Sequence, residues 1–330
     1  MDKKVKDNFW NERRVLITGG AGFLGAWIIK KLVEKDAHVT ALIRDHDKNS
    51  NLYIMGLHNK INIVWGKLED YPLILRALNE HETETIFHIA AQAIVTTALR
   101  IPLQTFESNI RGTYNILEAV RHSEMVKRTI IASSDKAYGT HNKLPYSEEA
   151  QLIGEFPYDV SKSCADLIAQ SYFKTYGLPI GITRCGNFYG GGDLNFDRIV
   201  PGTIKSLIFN KNPIIRSDGT FLRDYFYIED AANAYITLAE NLDRKDIVGQ
   251  AFNFGTGKST SVLDIVNKII QISGKTHLKP IILNTVKSEI KEQYLDCSKA
   301  KGLLNWTVKS DLEKNLKKTY QWYEEFFNRK

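Results

Sequence analysis

Short apolar runs separated by amphipathic stretches dominate the first half of the chain. Arg14–Thr18 (RVLIT) is a β-rich apolar run, and apolar residues over Gly25–Lys35 recur at helical spacing. The alternation continues, with further strands predicted at 37–43, 61–65, 85–89 and 129–133 and helices at 71–79 and 105–121. This series predicts a doubly wound α/β fold, in which helices cover both faces of a mainly parallel sheet and ligands bind beyond the carboxyl ends of its strands.

The second half of the chain is less regular. After about residue 190, loops and short strands replace the repeating pattern, and a polar helix is predicted from Asp311 onward. The sequence contains no internal repeat and no Pro-, Gly- or Ser-rich linker, so a second domain must be interleaved with the first. We therefore expect one unit over residues 1–185 and a smaller mixed lobe over 186–330, with segments near 225–260 returning to the main sheet.

A glycine-rich turn directly follows the first predicted strand. Gly19, Gly22 and Gly25 stand at the spacing G-x-x-G-x-x-G where a helix begins, with Phe23 and Leu24 between the last two. Glycines permit a tight turn and close approach of the backbone to a pyrophosphate, while the helix N-terminus offers free N–H groups and a partial positive charge. This position predicts a Rossmann-like dinucleotide site, and the alternative is an incidental turn.

The end of the second predicted strand bears on the choice of cofactor. An acidic residue commonly binds the ribose 2′-OH of NAD here, but Arg44 follows the strand and suits a 2′-phosphate. Asp45 stands one place later and is the alternative ribose ligand. We therefore expect NADP, with NAD as the alternative; the simplest explanation of Arg44 is a solvated charge at the end of a strand.

Tyr158 and Lys162 form a Tyr-x-x-x-Lys pair, which places the two side chains one helical turn apart on one face. A tyrosine of pKa about 10 acts as a base near neutral pH only if cations stabilise its phenolate by roughly 4 kcal/mol. Lys162 and a positively charged nicotinamide would supply that charge. Ser134, at the end of the preceding strand, adds a hydroxyl that can donate to the same substrate oxygen. The spacing alone is often accidental, but this context predicts a Ser/Tyr/Lys catalytic site.

With these motifs in place, the chain resembles the extended short-chain dehydrogenase/reductase family, also called the NAD-dependent epimerase/dehydratase family. Landmarks of that family recur along nearly the whole chain, at 88–92 (HIAAQ), 109–113 (NIRGT), 184–190 (RCGNFYG) and 223–225 (RDY). Within the family the chain is most similar to the CDP-glucose 4,6-dehydratases. That closer likeness rests on Asn8-Phe9-Trp10, Trp27, Ser134-Asp135-Lys136, Gly190-Gly191-Gly192-Asp193 and Asp197-Arg198.

Asp135 and Lys136 bear on the type of reaction that the resemblance implies. Similar 4,6-dehydratases carry an acid/base pair after the catalytic hydroxyl residue, whereas related 4-epimerases lack it. By that resemblance, Tyr158 takes the proton of the substrate 4-hydroxyl during oxidation at C4. Lys136 would then remove the C5 proton while Asp135 protonates the departing 6-hydroxyl, and hydride return to C6 leaves a 4-keto-6-deoxy sugar. The alternative for this pair is a simple loop ion pair.

The resemblance also implies binding residues and an assembly. Those for the cofactor are Gly19, Gly22, Phe23, Leu24, Gly25, Arg44, Leu68, Ala90, Ala91, Gln92, Asn109, Tyr158 and Lys162, and those for a nucleotide-diphosphate sugar are Asn187, Arg198, Arg216 and Arg223. The chain departs from the family where an adenine-contacting Asp usually follows the third strand, because Gly66-Lys67-Leu68 stands there. In similar proteins the helices that carry Asn109 and Tyr158 pair across a two-fold axis, so a homodimer is expected.

Composition and charge exclude several other classes of protein. Hydrophobic residues make up 43% of the 330 positions and no apolar run is long enough to span a bilayer. The charged start lacks the apolar segment of a signal peptide. The net charge of +6 is spread along the chain, which argues against nucleic-acid binding. Cys164, Cys185 and Cys297 lack the spacing of a zinc site or a disulfide framework. We expect a soluble, cytoplasmic protein without a metal.

Two other functions remain open from the sequence. A nucleotide-sugar 4-epimerase of the UDP-glucose or UDP-glucuronate type would use the same Ser134, Tyr158 and Lys162, although Asp135 and Lys136 argue against it. A non-catalytic dinucleotide-sensing protein would keep the fold without the chemistry. Such proteins usually lose the tyrosine or the lysine, and both are present in this chain.

Overall fold

A central sheet of seven parallel strands organises the molecule. The computed structural model describes residues 9–285, 289–309 and 311–328, so Asn8 of the Asn8-Phe9-Trp10 landmark lies outside the described residues. The strands of this sheet are β1 (Arg14–Thr18), β2 (His38–Ile43), β3 (Asn62–Trp65), β4 (Thr85–His88), β5 (Arg128–Ala132), β6 (Ile180–Cys185) and β11 (Ala251–Phe254). Their order across the sheet is β11-β6-β5-β4-β1-β2-β3.

Helices connect the strands and extend into the second half of the chain. They are α1 (Phe23–Val33), α2 (Asn51–Ile54), α3 (Tyr71–Glu80), α4 (Val95–Arg100), α5 (Pro102–Phe106), α6 (Gly112–Arg121), α7 (Pro157–Tyr176), α8 (Ile199–Ile208), α9 (Ile228–Glu240), α10 (Val262–Ser273), α11 (Ser298–Leu304) and α12 (Leu312–Asn328). The described residues also form two 3₁₀ turns, at Leu57–Asn59 and Asp135–Tyr138, and a π-helical turn at Glu107–Arg111.

Successive side chains of the buried strands point alternately into two separate hydrophobic cores. In β1, Val15 and Ile17 belong to one core, while Leu16 belongs to the other. Helices α1 and α9 cover the first face of the sheet, and α3, α6 and α7 cover the second. Because successive strand residues point to opposite faces, an uninterrupted apolar run is what a strand buried on both sides requires.

A smaller lobe lies beyond the carboxyl ends of these strands. Its short strands are β7 (Asn187–Tyr189), β8 (Ile214–Ile215), β9 (Leu222–Arg223), β10 (Tyr225–Tyr227), β12 (Thr260–Ser261), β13 (Ile281–Ile282) and β14 (Glu292–Gln293). They form three small sheets, ordered β10-β7, β12-β9-β14 and β13-β8. Helices α8, α10 and α12 pack together in this lobe. The chain enters the lobe after β6 and returns to the central sheet at β11, so the two parts of the structure are interleaved.

Two sequence predictions differ from the structure. The helix predicted at 105–121 begins at Pro102, a residue suited to the first turn, and it widens into the π-helical turn at Glu107–Arg111. The second half contains more helix than its irregular pattern suggested. In α9 the buried residues include four alanines, and small residues of this kind blur the hydrophobic period.

No helix in the described ranges combines the length and the apolar character needed to cross a membrane.

Candidate active site

A cleft of about 1390 Å³ lies over the carboxyl ends of β1, β4, β5 and β6. Of the residues predicted from the sequence for the cofactor, for catalysis or for the substrate, all but Asn109 line this cleft. They are Gly19, Gly22, Phe23, Leu24, Gly25, Arg44, Leu68, Ala90, Ala91, Gln92, Ser134, Asp135, Lys136, Tyr158, Lys162, Asn187, Arg198, Arg216 and Arg223. Strand ends from distant parts of the sequence therefore bring one set of polar groups together.

The glycine-rich turn fits close against its neighbours. Gly19 has a φ of +73°, and a Cβ there would lie 2.8 Å from the Cα of Ala90. A Cβ on Gly25 would lie 2.2 Å from the carbonyl oxygen of Gly19. Gly22 is the N-cap of α1 and supplies no side-chain cap for the first turn of the helix. The turn thus leaves a helix N-terminus facing the cleft, which fits a dinucleotide pyrophosphate.

Arg44 and Asp45 form an ion pair at the β2 edge of the cleft. The Arg44 Nε lies 2.7 Å from the Asp45 Oδ2, and about half of each side chain is exposed to solvent. Both residues line the cleft. A cation and an anion are therefore available at the position where a ribose 2′ substituent would distinguish NADP from NAD.

Asn109 supports the cleft from behind rather than lining it. Its Oδ1 accepts a hydrogen bond from the backbone N–H of Gln92 at 2.7 Å, and its Nδ2 donates to Ser161 Oγ at 2.9 Å. Ser161 in turn donates to the carbonyl oxygen of Tyr158. The Asn109 side chain, in the π-helical turn, thus joins the loop after β4 to the start of α7. Asn109 therefore positions cleft residues and does not line the cleft itself.

His88 is a buried structural residue at the end of β4. Its Nδ1 lies 2.9 Å from Thr18 Oγ1 and its Nε2 lies 3.1 Å from Thr113 Oγ1. Burial, together with the charge of Lys162, lowers the pKa of His88 to about 3. A neutral imidazole therefore ties β1 to α6 beneath the cleft.

The loop after β5 holds the three residues Ser134, Asp135 and Lys136. Ser134 Oγ accepts from the backbone N–H of Lys136 and donates to Asp135 Oδ1 at 3.1 Å. Burial raises the pKa of Asp135, against the opposing charge of Lys136 and the hydrogen bond from Ser134. The Lys136 Nζ donates to Gln293 Oε1 at 3.2 Å. Within the described residues no ion pair joins Asp135 to Lys136, so the two side chains act on different neighbours.

Burial acts in opposite directions on the two residues of the Tyr-x-x-x-Lys pair. It raises the pKa of Tyr158 to about 12, although a hydrogen bond with Ser134 and the charge of Arg198 oppose the increase. It lowers the pKa of Lys162 to about 8. The Lys162 Nζ donates to the carbonyl oxygen of Ala132 at 2.6 Å, which anchors it at the end of β5. Both side chains face the cleft near the start of α7.

Three arginines on the far wall of the cleft are each held by a carboxylate. Arg198 pairs with buried Asp193 at 3.1 Å, and Arg216 pairs with Asp197. Arg223 is buried and pairs with Glu289 at 2.8 Å. Its guanidinium also donates to the carbonyl oxygens of Leu222, Ile290 and Lys291. The side chains of Arg198 and Arg216 are 38% and 48% exposed, whereas that of Arg223 is only 6% exposed.

Six buried polar atoms of cleft-lining residues have no hydrogen-bond partner within the described residues. They are Ser50 Oγ, Ser133 Oγ, Asp135 Oδ2, Asn187 Nδ2, Thr203 Oγ1 and Tyr225 OH. An unpaired buried polar group is unfavourable, so these atoms suit a polar ligand. Ser50, Ser133, Thr203 and Tyr225 were not predicted as site residues, although Ser133 stands beside Ser134 and Tyr225 belongs to the 223–225 motif. Glu289 and Gln293 gave no sequence signal, because neither belongs to a recognisable motif.

Comparisons with known proteins agree with this geometry. Residues 16–319 match the family described as GDP-mannose 4,6 dehydratase. The chain is 28% identical to the CDP-glucose 4,6-dehydratase of Salmonella typhimurium, over 97% of this chain and 93% of that protein.

Two solved structures superpose closely on the fold. One is the dTDP-glucose 4,6-dehydratase of Bacillus anthracis in complex with NAD, with a TM-score of 0.83 and 25% identity, covering 95% of this chain and 97% of that one. The other is the UDP-glucose 4-epimerase of Thermotoga maritima with UDP-glucose. Its TM-score is 0.86 and its identity 27%, covering 95% of this chain and 99% of that one.

Proposed function

The chain belongs to the GDP-mannose 4,6 dehydratase family, and from this premise we propose that it is a nucleotide-sugar 4,6-dehydratase. The membership confirms the relationship to extended short-chain dehydrogenases/reductases that the sequence predicted. The proposal is carried by Asp135, a buried residue that lines the same cleft as Tyr158 and whose Oδ2 has no hydrogen-bond partner among the described residues. An acid in this place has a use in elimination of water and none in simple epimerisation.

A nicotinamide dinucleotide fits the β1 side of the cleft. The glycine turn and the start of α1 would hold its pyrophosphate, and the loop 89–92 would lie along it. The chemistry that a bound nicotinamide supplies is reversible hydride transfer, out of C4 of the sugar and later into C6.

Tyr158 and Lys162 handle the proton of the substrate 4-hydroxyl. With a pKa of about 12 the phenol stays protonated near neutral pH until positive charge enters the cleft. Lys162, anchored on Ala132, contributes charge at a fixed place beside the strand end. The phenolate of Tyr158 then accepts the proton from O4, and Ser134 donates a hydrogen bond to that oxygen.

Asp135 and Lys136 carry the loss of water. A ketone at C4 makes the C5 proton acidic, and Lys136 Nζ accepts it. The electrons of the C5–H bond form the C5=C6 double bond as the C6–O bond breaks. Asp135 gives its proton to the leaving oxygen, which departs as water. Burial of Asp135 raises its pKa and so favours the protonated acid that this step needs.

The nucleotide diphosphate would lie along the wall formed by Arg198, Arg216 and Asn187. Arg223 would add a donor only where Glu289 gives way, because its guanidinium already contacts protein acceptors. Likeness to the Salmonella CDP-glucose 4,6-dehydratase supports CDP-glucose as the first substrate to test.

We infer that the Arg44–Asp45 pair governs the choice between NAD and NADP. Because Asp45 neutralises Arg44 and brings a carboxylate to the same place, the pair weakens the attraction for a 2′-phosphate and favours NAD over the NADP expected from the sequence. The NAD complex of the Bacillus anthracis relative supports this choice. Under this assignment Asp45→Ala weakens NAD binding. If Arg44→Ala instead weakens NADP binding more than Asp45→Ala weakens NAD binding, the cofactor is NADP.

A homodimer is proposed from the exposed apolar side chains on α5, α6 and α7. Leu103, Tyr114 and Leu167 are exposed on these helices, and α7 packs against both α5 and α6. A shared apolar face of this kind commonly marks an interface between subunits.

The test of the proposed function is a product assay on the purified protein. It is incubated with CDP-glucose, GDP-mannose, dTDP-glucose and UDP-GlcNAc, and the products are weighed. A 4,6-dehydratase removes about 18 mass units from one of them by elimination of water. A 4-epimerase, suggested by the Thermotoga neighbour, leaves the mass unchanged while the sugar is inverted at C4. Unaltered substrates throughout would instead indicate a non-catalytic protein.

An Asp135→Asn variant isolates the elimination step in that assay. It keeps the shape of the side chain but cannot protonate the leaving oxygen. We expect C4 oxidation to persist, seen as reduced nicotinamide that accumulates on the enzyme, while dehydrated product falls by about 10²-fold or more. Loss of both signals together would show that Asp135 is needed for the shape of the site rather than for the proton.

A further inference from the structure

One contact joins the smaller lobe directly to the loop that carries Asp135 and Lys136. The Lys136 Nζ donates to Gln293 Oε1 at 3.2 Å, and both side chains are buried. Gln293 lies on β14, which pairs in parallel with β9, so Gln293 stands opposite Arg223. Its carbonyl oxygen also accepts from the backbone N–H of Asp224. The backbone of Gln293 is therefore held by strand pairing, and its side-chain amide reaches Lys136 from that fixed position.

The chemical nature of this partner matters for a lysine that has to act as a base. A carboxylate in direct contact would hold Nζ as an ammonium, because opposite charges favour the ionised form. An amide oxygen accepts a hydrogen bond and aims the amine, but it adds no formal charge. Gln293 therefore orients Nζ without strongly retaining its proton.

The negative charge of the carboxyl groups that face Lys136 from neighbouring elements is also reduced or balanced. They are Asp135 on the same 3₁₀ turn, Asp159 on α7, and Glu289 from the segment before β14. Burial raises the pKa of Asp135 and raises that of Asp159 to about 6. Glu289 is neutralised by its ion pair with Arg223. A carboxylate in the place of Gln293 would be the first in direct hydrogen-bond contact with Nζ among the described residues.

We propose that Gln293 is the positioning residue of the elimination step, a neutral amide that aims Lys136 Nζ at C5 of the sugar while leaving it free to take a proton. This inference rests on the proposed function, because it assigns a support to the base of that reaction. In the step itself, Nζ gains the C5 proton and becomes an ammonium, which donates to Gln293 Oε1. The Nζ protons exchange with solvent, and one of them returns to C5 as C6 is reduced, so Lys136 regains its starting form at the end of each turnover.

The experiment compares Gln293→Glu with Gln293→Ala and with a matched control, Gln271→Glu. Gln271 is exposed on α10, so the control adds the same charge outside the cleft. For each protein, kcat and KM for dehydration are measured as a function of pH, together with deuterium uptake from solvent at C5. C4 oxidation is followed separately in a single turnover.

For Gln293→Glu we expect the acidic limb of the kcat profile to move to higher pH by about one unit or more, with at least about tenfold lower kcat near neutral pH and partial recovery in alkali. KM and C4 oxidation should stay close to those of the wild type. Gln293→Ala should lower kcat and C5 deuterium uptake without moving the profile. Gln271→Glu should match the wild type throughout.

Three outcomes would overturn the inference. One is a Gln293→Glu profile that coincides with that of the wild type. Another is equal loss of C4 oxidation and dehydration in both Gln293 variants, which would indicate a purely structural role. If Gln293→Glu does not fold, it is replaced by Gln293→Met, which is uncharged and lacks the amide oxygen. The third outcome is deuterium uptake at C5 in Gln293→Met that equals that of the wild type. A wild-type enzyme that makes no dehydrated product would instead refute the proposed function, so the two failures are distinguishable.

Discussion

Tyr158 is the residue on which every version of the proposed chemistry depends. Its hydroxyl borders the cleft, and its pKa of about 12 reflects burial in the protein itself. The phenol therefore has to be ionised by charges gathered around it, since burial alone opposes ionisation. Removing the hydroxyl removes the proton acceptor for O4 while leaving the ring that packs in the wall.

We predict that Tyr158→Phe lowers kcat by about 10²–10⁴-fold, the usual range for loss of a general base, with little change in KM. Steady-state kinetics and direct measurement of cofactor binding would test this. Binding should remain close to wild type, because the glycine turn is untouched. An active Tyr158→Phe enzyme would mean that another group accepts the proton.

The buried charge of Lys162, which the proposed reaction uses, lowers the free energy of unfolding. Its pKa falls to about 8 in the folded protein because the ammonium is buried. The fall from the ordinary lysine pKa of 10.5 corresponds to about 3 kcal/mol of destabilisation below pH 8. Folded and unfolded chains are both charged there. As pH rises from 8 towards 10.5 the folded state loses its proton first, so the penalty disappears.

We therefore predict that Lys162→Met raises the free energy of unfolding near pH 7 by about 1–2 kcal/mol, the gain being reduced by loss of the hydrogen bond to Ala132. Near pH 10 the advantage should largely vanish. Chemical unfolding of wild type and variant at both pH values would test this, with Lys301→Met on the exposed side of α11 as control. An advantage that does not change with pH would contradict the assignment.

At the scale of elements, the turn between β1 and α1 has almost no room for a larger residue at Gly25. A Cβ would lie 2.2 Å from the Gly19 carbonyl oxygen and 2.9 Å from the Gly20 Cα, and both contacts are with backbone. Alanine would force the turn apart, although it favours helix formation elsewhere. The shape of the pyrophosphate site would change with it.

We predict that Gly25→Ala weakens binding of the dinucleotide by at least about tenfold and lowers the thermal midpoint of unfolding. Calorimetric titration with NAD and with NADP would measure the first effect. Gly302→Ala on α11 is the matched control, because nothing lies within 4 Å of the added Cβ. It should bind as the wild type does and be equally or slightly more stable. Equal effects of both substitutions would argue against a close-packed turn.

The elements differ in how far the sequence predicts them. Strands β1 and β5 are buried on both faces, so their apolar runs predicted them to within a residue. The helix predicted at 105–121 misses the π-helical turn, since local spacing does not show that Asn109 must reach Gln92 and Ser161. Gln293 was not predicted, because its contact spans 157 residues and depends on the pairing of β14 with β9. A motif at the end of one strand can therefore be predicted from the sequence. A contact between the two lobes cannot, because it depends on how distant strands pair.

At the scale of the whole molecule, the smaller lobe is fastened to the central sheet by buried polar contacts. Trp27 Nε1 on α1 donates to the carbonyl oxygen of Gly191, and Asn51 Nδ2 donates to that of Gly192. Tyr323 on α12 donates to the carbonyl oxygen of Asp193, whose carboxylate holds Arg198 at the cleft. Groups from the dinucleotide side and from the last helix therefore hold the segment that positions Arg198, a proposed substrate-binding residue.

The apolar face on α5, α6 and α7 allows a prediction about assembly. Leu103 is 74% exposed and Leu167 is 52% exposed, on helices that pack against one another beside the catalytic pair. Because α7 carries Tyr158 and Lys162 at its start, covering this face in a dimer would also brace the catalytic helix. Burial of leucines of this size contributes about 1.5–3 kcal/mol each.

We predict that the wild-type protein sediments or scatters at twice the 37.6 kDa mass of the chain, and that Leu103→Lys combined with Leu167→Lys yields monomers. A charge placed at the centre of an apolar interface loses its solvation without a partner. Ile282→Lys, on exposed β13 in the smaller lobe, is the control and should leave the mass unchanged. Lower kcat in the monomeric variant, with dinucleotide binding retained, would connect assembly to the stability of α7. A wild-type monomer, or a dimer that survives both lysines, would place any subunit interface elsewhere on the surface.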